Sequence, residues 1–303
     1  MSAPVCRICG AGQVAERGRK RGEFIREEFT FHRCGACGFQ FVEPFSGFAI
    51  YDDRYYRGEG PDPYVDYEAE YRDYRQTHRR HEFADMVRLA ENFLRHRESA
   101  PAGTTLRWLD FGCGAGGFLK FLRERATVGG RTLELSGHDV GSYADLLKQK
   151  DDFRILDLDE IGREPAGTYD VISMIEVVEH LPDPVAALTQ VARLLKPGGL
   201  LLLTTGNLDS PVARRRGIHY RYCSPEIHVS LFGPRSLAQL YARVGLVPHS
   251  VRYAGAVQFK VLKTLRHRPF AGALASLALH LPPVVWLIDR MYGVSAMPCA
   301  VKV

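Results

Sequence analysis

Apolar runs and amphipathic stretches alternate through the middle of the chain. Residues 106–109 form a short apolar run, and residues 118–125 follow with helix-like character. Residues 133–139 alternate like a strand, and residues 153–156 form another apolar run. Residues 169–175 and 200–203 are apolar almost throughout, as strands covered on both faces are. Between these last two, Val185, Leu188, Ala192 and Leu195 share one face of a helix. Asp183 fits its N-cap and Pro184 its first position, and Lys196-Pro197-Gly198-Gly199 stops it. Strands alternating with helices predict an α/β domain with a parallel sheet.

The flanks follow other patterns. Cys6-Arg7-Ile8-Cys9-Gly10 and Cys34-Gly35-Ala36-Cys37-Gly38 are paired C-x-x-C-G knuckles, which predict four thiolate ligands to one structural Zn²⁺. Phe24, Ile25, Phe29 and Phe31 between them suit a hairpin too small to fold without metal. The basic run Arg17-Gly18-Arg19-Lys20-Arg21 is placed at the tip of that hairpin, as a solvated loop. In residues 46–75, Tyr51, Tyr55, Tyr56, Tyr64, Tyr67, Tyr71 and Tyr74 are interleaved with acids. Two readings stand: a helix laying an aromatic stripe on the main domain, or a lid over its site. In the last fifty residues, 269–288 are largely apolar but interrupted by His280 and Pro282-Pro283. They predict a pair of packed helices, with a membrane-surface helix as the alternative.

Candidate chemistry centres on Leu109-Asp110-Phe111-Gly112-Cys113-Gly114-Ala115-Gly116-Gly117. A strand ends in an acid, turns through glycines and enters a helix, which brings backbone N–H groups close to a ligand. Gly112, Gly114 and Gly117 satisfy the dinucleotide pattern. Asp110 with Gly112, Gly114 and Gly116 satisfies D-x-G-x-G-x-G. In either case Asp139, 23 residues past Gly116, suits a ribose-binding carboxylate. Asp157, with Asp159 as a competitor, suits an acceptor for the adenine amino group. Cys113 reads as a small buried residue, and Cys223 and Cys299 carry no assigned role.

Composition adds bounds. The 303 residues are 46% hydrophobic and 25% charged, as expected for one large domain plus a small module. A net charge of +5 is too weak to indicate nucleic-acid binding. Residues 1–33 hold no apolar core of a signal peptide, and with cysteines read as metal ligands this predicts a cytoplasmic protein.

The blocks Ile175-Glu176-Val177-Val178-Glu179-His180-Leu181-Pro182-Asp183-Pro184 and Leu194-Leu195-Lys196-Pro197-Gly198-Gly199 decide between the cofactors. With the glycine turn they resemble class I S-adenosylmethionine (SAM) methyltransferases, in the branch of ubiquinone-pathway O-methyltransferases and bacterial sugar and natural-product methyltransferases. The zinc-knuckle layout resembles that of sugar C-methyltransferases. The resemblance covers residues 105–253. It implies a Rossmann-like seven-stranded, mostly parallel sheet with helices on both faces, beside a small N-terminal zinc-binding β module and a helical C-terminal tail. The divisions expected are 1–45, zinc module; 46–100, tyrosine-rich connector or lid; 101–253, SAM-binding domain; and 254–303, tail.

It further implies SAM held by Asp110, Gly112, Gly114, Gly116, Asp139, Asp157 and Glu176. A small-molecule acceptor, a sugar nucleotide or secondary-metabolite intermediate, would be methylated by in-line displacement with a general base. His228 and His180 are the candidate bases, with Glu226 and Tyr222 as assistants. This chain departs from its relatives at Gly206, where they carry proline, and at Ile227, inserted between Glu226 and His228. An RNA methyltransferase guided by the zinc module and a SAM-binding protein without turnover are the alternatives.

Overall fold

The computed structural model describes residues 4–61, 66–77, 79–96, 104–150, 152–253 and 295–303. Strands β1 (Val14–Arg21), β2 (Glu28–Cys34) and β3 (Gln40–Glu43) form an antiparallel meander. The basic run lies within β1, not at the hairpin tip, and Arg19 there pairs with Glu16 and Glu28. The predicted connector forms α1 (Asp53–Tyr56) and α2 (Tyr67–Asp73), N-capped by Asp52 and Asp66, and then α3 (Arg79–Arg95). Tyr64 lies outside the described residues.

The main sheet follows. β4 (Leu106–Phe111) leads into α4 (Gly117–Arg125), then the short hairpin β5 (Thr127–Val128) and β6 (Arg131–His138). Next come α5 (Ser142–Lys150), β7 (Arg154–Leu156), α6 (Leu158–Arg163) and β8 (Tyr169–Ile175). The helix α7 (Pro184–Leu194) starts on Asp183 and Pro184, as the sequence predicts. It passes into β9 (Leu195–Gly206), where Lys196-Pro197-Gly198-Gly199 is accommodated as an irregularity between the pairs Tyr169–Leu195 and Val171–Leu200. The remaining elements are α8 (Pro211–Arg216), β10 (Ser230–Leu231), α9 (Pro234–Arg243), β11 (Leu246–Tyr253) and β12 (Ser295–Lys302).

The strand order is β7-β6-β4-β8-β9-β12-β11, with β5 hairpinned onto β6. The first five strands are parallel, and β12 runs antiparallel to both its neighbours. This is the expected α/β architecture. Side chains alternate between faces: Val171, Leu200 and Leu202 pack with Phe83, Met86 and Phe118 on one side. Ile172, Leu201 and Leu203 pack with Leu188, Val191 and Leu240 on the other.

Both ends of the described chain pack into the main domain. Residues 295–302 are a strand inside the main sheet, so the 254–303 segment is not wholly a helical tail; the helices expected at 269–288 lie outside the described residues. The zinc-knuckle module, residues 1–45, packs against the larger domain. β3 pairs with β10, and Ile8, Phe39 and Phe41 join the core of α7 and α9. A sheet edge and an apolar face that short strands cannot cover alone are thus covered by the larger domain. Among the described residues, no helix is long and apolar enough to cross a membrane.

Glu226, expected near the acceptor, is a clamp instead. Only 2% exposed, it accepts hydrogen bonds from the backbone N–H groups of Glu23 (3.2 Å), Phe24 (2.7 Å) and Ile25 in the β1–β2 turn. Glu226→Ala strands these donors, and urea unfolding should register a loss of about 2–3 kcal/mol.

Candidate functional site

The strand order reverses between β4 and β8, and open α/β sheets take ligands in the crevice at the carboxyl ends of such strands. Loops leaving β4, β6 and β8 bring most of the predicted residues there. The amides of Gly112 and Cys113 donate to the His138 carbonyl, at 2.7 and 3.0 Å, which folds the glycine turn back over β6. Gly112 has φ +81°, and a Cβ on it would stand 2.4 Å from Val177 Cγ2. Gly116 has φ +80°, with Leu147 at 2.7 Å from the same added atom. Gly112→Ala therefore combines backbone strain of about 1–3 kcal/mol with a collision in the cradle. Calorimetry should show SAM affinity reduced about tenfold or more, with the fold retained.

Asp110, the last but one residue of β4, is 2% exposed and accepts a 2.7 Å hydrogen bond from Ser173. Burial pushes its carboxyl up to about 7; the Ser173 bond opposes this, while Asp139 and Glu70 add to it. Asp139 accepts from the amides of Gly114 and Gly141, both at 2.8 Å, and from the Tyr56 hydroxyl at 3.3 Å. A cleft of about 380 Å³ runs from Asp139 past Val140 to Leu158 and Asp157. Asp157 lines it, but its carboxylate caps α6, accepting from Glu160 N at 2.8 Å.

Glu176 follows β8 with φ +53°, a sparsely populated conformation for a residue with a side chain. Its Oε2 lies 3.2 Å from the Tyr222 hydroxyl, and its buried Oε1 has no partner. Burial raises its carboxyl, and the nearby Arg79 opposes that shift. Arg79 is a buried cation missed by the sequence reading. It bridges Glu70 (3.1 Å) and Glu82 (2.7 Å), and its charge also acts on Asp110. An arginine at a helix start amid many surface arginines gave no local signal.

Glu176 and His180 line a cavity of about 140 Å³ beside Gly112 and Asp139, roofed by Phe48, Tyr51 and Tyr55. His180 Nδ1 lies 2.8 Å from the Tyr51 hydroxyl and 3.0 Å from the Ile227 carbonyl. His228 does not line this cavity. It is 6% exposed, stacked on Tyr222 at 4.2 Å, with Nδ1 2.7 Å from the Tyr222 carbonyl. Burial pulls its pKa down to about 4, so it is neutral at neutral pH. The Tyr222 hydroxyl donates to Glu179, within reach also of Glu176 and Thr205. Gly206 accounts for the departure from proline: a Cβ there would meet the Tyr222 ring at 2.2 Å. Cys113 is buried, as expected of a small residue in the turn.

In the N-terminal module, Cys6 and Cys37 Sγ are 3.6 Å apart, as are Cys9 and Cys34 Sγ, and all four lie within 4.8 Å of one another. Thiolates on a tetrahedral ion with bonds of about 2.3 Å are separated by about 3.8 Å. The donor set therefore fits zinc.

A glycine cradle and a ribose-type acid at the reversal of a mostly parallel sheet, with β12 antiparallel within it, define the class I SAM-binding methyltransferase fold. Residues 75–251 match the methyltransferase domain family, and the chain belongs to that family. Among curated proteins it is similar to the ubiquinone biosynthesis O-methyltransferase of Dechloromonas aromatica, 37% identical over 107 residues, 33% of this chain and 44% of that protein. It is likewise similar to that of Marinobacter nauticus, 38% over 111 residues, 33% of this chain and 44% of that protein. The chain thus spans under half the length of these curated relatives. Similar solved structures include the plantazolicin methyltransferase BpumL in complex with SAH, 17% identical with a TM-score of 0.47, covering 78% of this chain and 88% of that one. Another is a SAM-dependent methyltransferase from Aquifex aeolicus, at 15% and 0.44, covering 72% and 90%.

Proposed function

We propose that the protein methylates a small molecule from SAM, at a hydroxyl carried on a flat, apolar body, with His180 as general base. The observation that carries this is the cavity in which His180 and Glu176 meet the glycine cradle beneath Phe48, Tyr51 and Tyr55. Such a lining favours a phenolic secondary-metabolite intermediate over a sugar nucleotide, whose phosphates call for cationic or N–H-rich walls.

SAM, when bound, supplies a methyl group on an electrophilic sulfonium. Asp139 would take its ribose hydroxyls, while Val140 and Leu158 would flank the adenine near Asp157. Asp110 and the unpartnered Oε1 of Glu176 would face its ammonium. The chain's own work is then to hold the acceptor, exclude water with the aromatic roof and remove one proton. The Ile227 carbonyl can only accept, which favours the His180 tautomer with its hydrogen on Nδ1. Nε2 is left as the basic nitrogen. Cys6, Cys9, Cys34 and Cys37 would hold a structural zinc that takes no part in the chemistry.

The test is purified protein with SAM against pools of phenols, nucleotide sugars and structured RNA, read as S-adenosylhomocysteine formed and mass gained by the acceptor. Methylated phenols are expected. Methylated nucleotide sugars or RNA overturn the acceptor assignment, and absence of SAM binding by calorimetry overturns the whole reading.

A further inference from the structure

Tyr51, five residues before Tyr56 in the aromatic roof, has its hydroxyl 2.8 Å from His180 Nδ1 and 3.2 Å from the Ile227 carbonyl. The rings of Tyr51 and His180 meet edge to face at 5.5 Å and 88°. The protons in this triangle can be assigned. The carbonyl can only accept, and the arrangement that serves both contacts to it puts hydrogen on His180 Nδ1, shared with the Tyr51 oxygen, and points the Tyr51 O–H at Ile227. The Tyr51 oxygen therefore accepts from His180 Nδ1–H. Burial, with Tyr67 and Glu179 nearby, keeps the phenol protonated, so this arrangement persists across the working pH range.

We propose that Tyr51 is a positioning residue for methyl transfer: with the Ile227 carbonyl, its hydroxyl fixes the plane of His180 and gives the Nδ1–H a second acceptor that strengthens as the ring takes up a proton. The proposal rests on His180 being the base. It is carried by an element far from the histidine in sequence, on the turn that also reaches the cofactor side. Asp52 caps α1 through the amides of Arg54 and Tyr55, at 3.0 Å each, and Tyr56 at the end of that turn contacts Asp139. A four-residue helix thus joins the contact to the base and the contact to the ribose-type acid.

Around the His180 ring, Tyr51 comes from the aromatic roof, Glu179 is the histidine's chain neighbour, and Glu176 lies across the cavity. His228, with Tyr222 stacked on it, comes from the loop after β9. Arg79 acts on Glu176 from behind. Tyr51→Phe keeps the ring packing and leaves every one of these except the hydroxyl in place.

The experiment is ¹⁵N-histidine NMR on the full chain, with His180 assigned by loss of its signal in His180→Gln. In the unaltered protein His180 should show hydrogen on Nδ1. In Tyr51→Phe its titration midpoint should fall by about one pH unit, the effect of one charge-assisted hydrogen bond lost from the protonated form. SAM binding by calorimetry should stay within about twofold, which also confirms the fold. With an acceptor from the screen, kcat should fall about tenfold with the acid limb of its pH profile moved down. Hydrogen found on Nε2, or an unchanged midpoint, overturns the proposal. If His180→Gln retains full turnover, the base assignment falls and takes the proposal with it. If His180→Gln is inactive while Tyr51→Phe matches the unaltered protein in midpoint and kcat, only the role of Tyr51 falls.

Discussion

His180→Gln should lower kcat by about 10²–10⁴-fold, the range by which a positioned acid or base accelerates proton transfer. Glutamine keeps a donor for the Ile227 carbonyl but offers no basic nitrogen, so the cavity wall survives while the proton acceptor is lost. SAM affinity should change little, because the contacts assigned to the cofactor lie on Asp110, the glycines, Asp139, Glu176 and the cleft at Asp157. The contrast that gives the result its meaning is His228→Gln. His228 is buried, its pKa is depressed to about 4, and it stacks on Tyr222 with its ring 4.9 Å from that of His180, without lining the cavity itself. Its replacement should cost stability, seen as a lower melting temperature, with kcat largely kept in the protein that remains folded. Equal losses of kcat in the two variants would defeat the assignment of the base to His180.

We propose that Cys6, Cys9, Cys34 and Cys37 hold one zinc ion, and its removal should be the most damaging change to the fold. Structural zinc sites contribute about 10–16 kcal/mol to the folding of small modules. This module also shares its core with α7 and α9 through Ile8, Phe39 and Phe41. It touches the site loop as well: Arg7 donates to the Pro182 carbonyl at 3.1 Å, two residues beyond His180. Cys37→Ser, or a strong chelator, should lower the melting temperature by about 10 °C or more and reduce turnover along with it. Elemental analysis should find about one zinc per chain, since four thiolates complete one tetrahedral shell. A chain free of zinc with an unchanged melting temperature would rule out the metal.

What the sequence made legible is what chemistry confines to a few consecutive residues. The glycine turn needs left-handed backbone at Gly112, Gly114 and Gly116. The thiolate knuckles need a fixed spacing, and the strands need unbroken apolar runs. The Asp183-Pro184 helix start was legible for the same reason. Contacts made across the fold left no such trace. Glu226 reaches amides 201–203 positions away, and Tyr51 meets His180 across 129. An acid before a helix has one appearance whether it caps that helix or contacts a base, which is why Asp157 reads both ways. A glutamate beside a histidine likewise looks like an active-site pair until packing shows it closing a distant turn. β12, an interior strand between β9 and β11, was hidden because its sequence carries a proline and lacks the unbroken apolar run that marked β9.

The place of β12 bears on how the protein can be made. It completes the sheet between β9 and β11, yet it is synthesised after both. At about 5–20 residues per second, ribosomal synthesis takes roughly 3–10 s to pass from the end of β11 to the end of β12. Through that interval the apolar stretch Leu200-Leu201-Leu202-Leu203 in β9 has an open edge where Leu200, Leu201 and Leu202 will later pair. Such an edge is a template for pairing with other nascent chains. Slower elongation across this segment should therefore favour aggregation over correct folding, and chaperone shielding of the emerging domain should matter most in the seconds before residue 302 emerges.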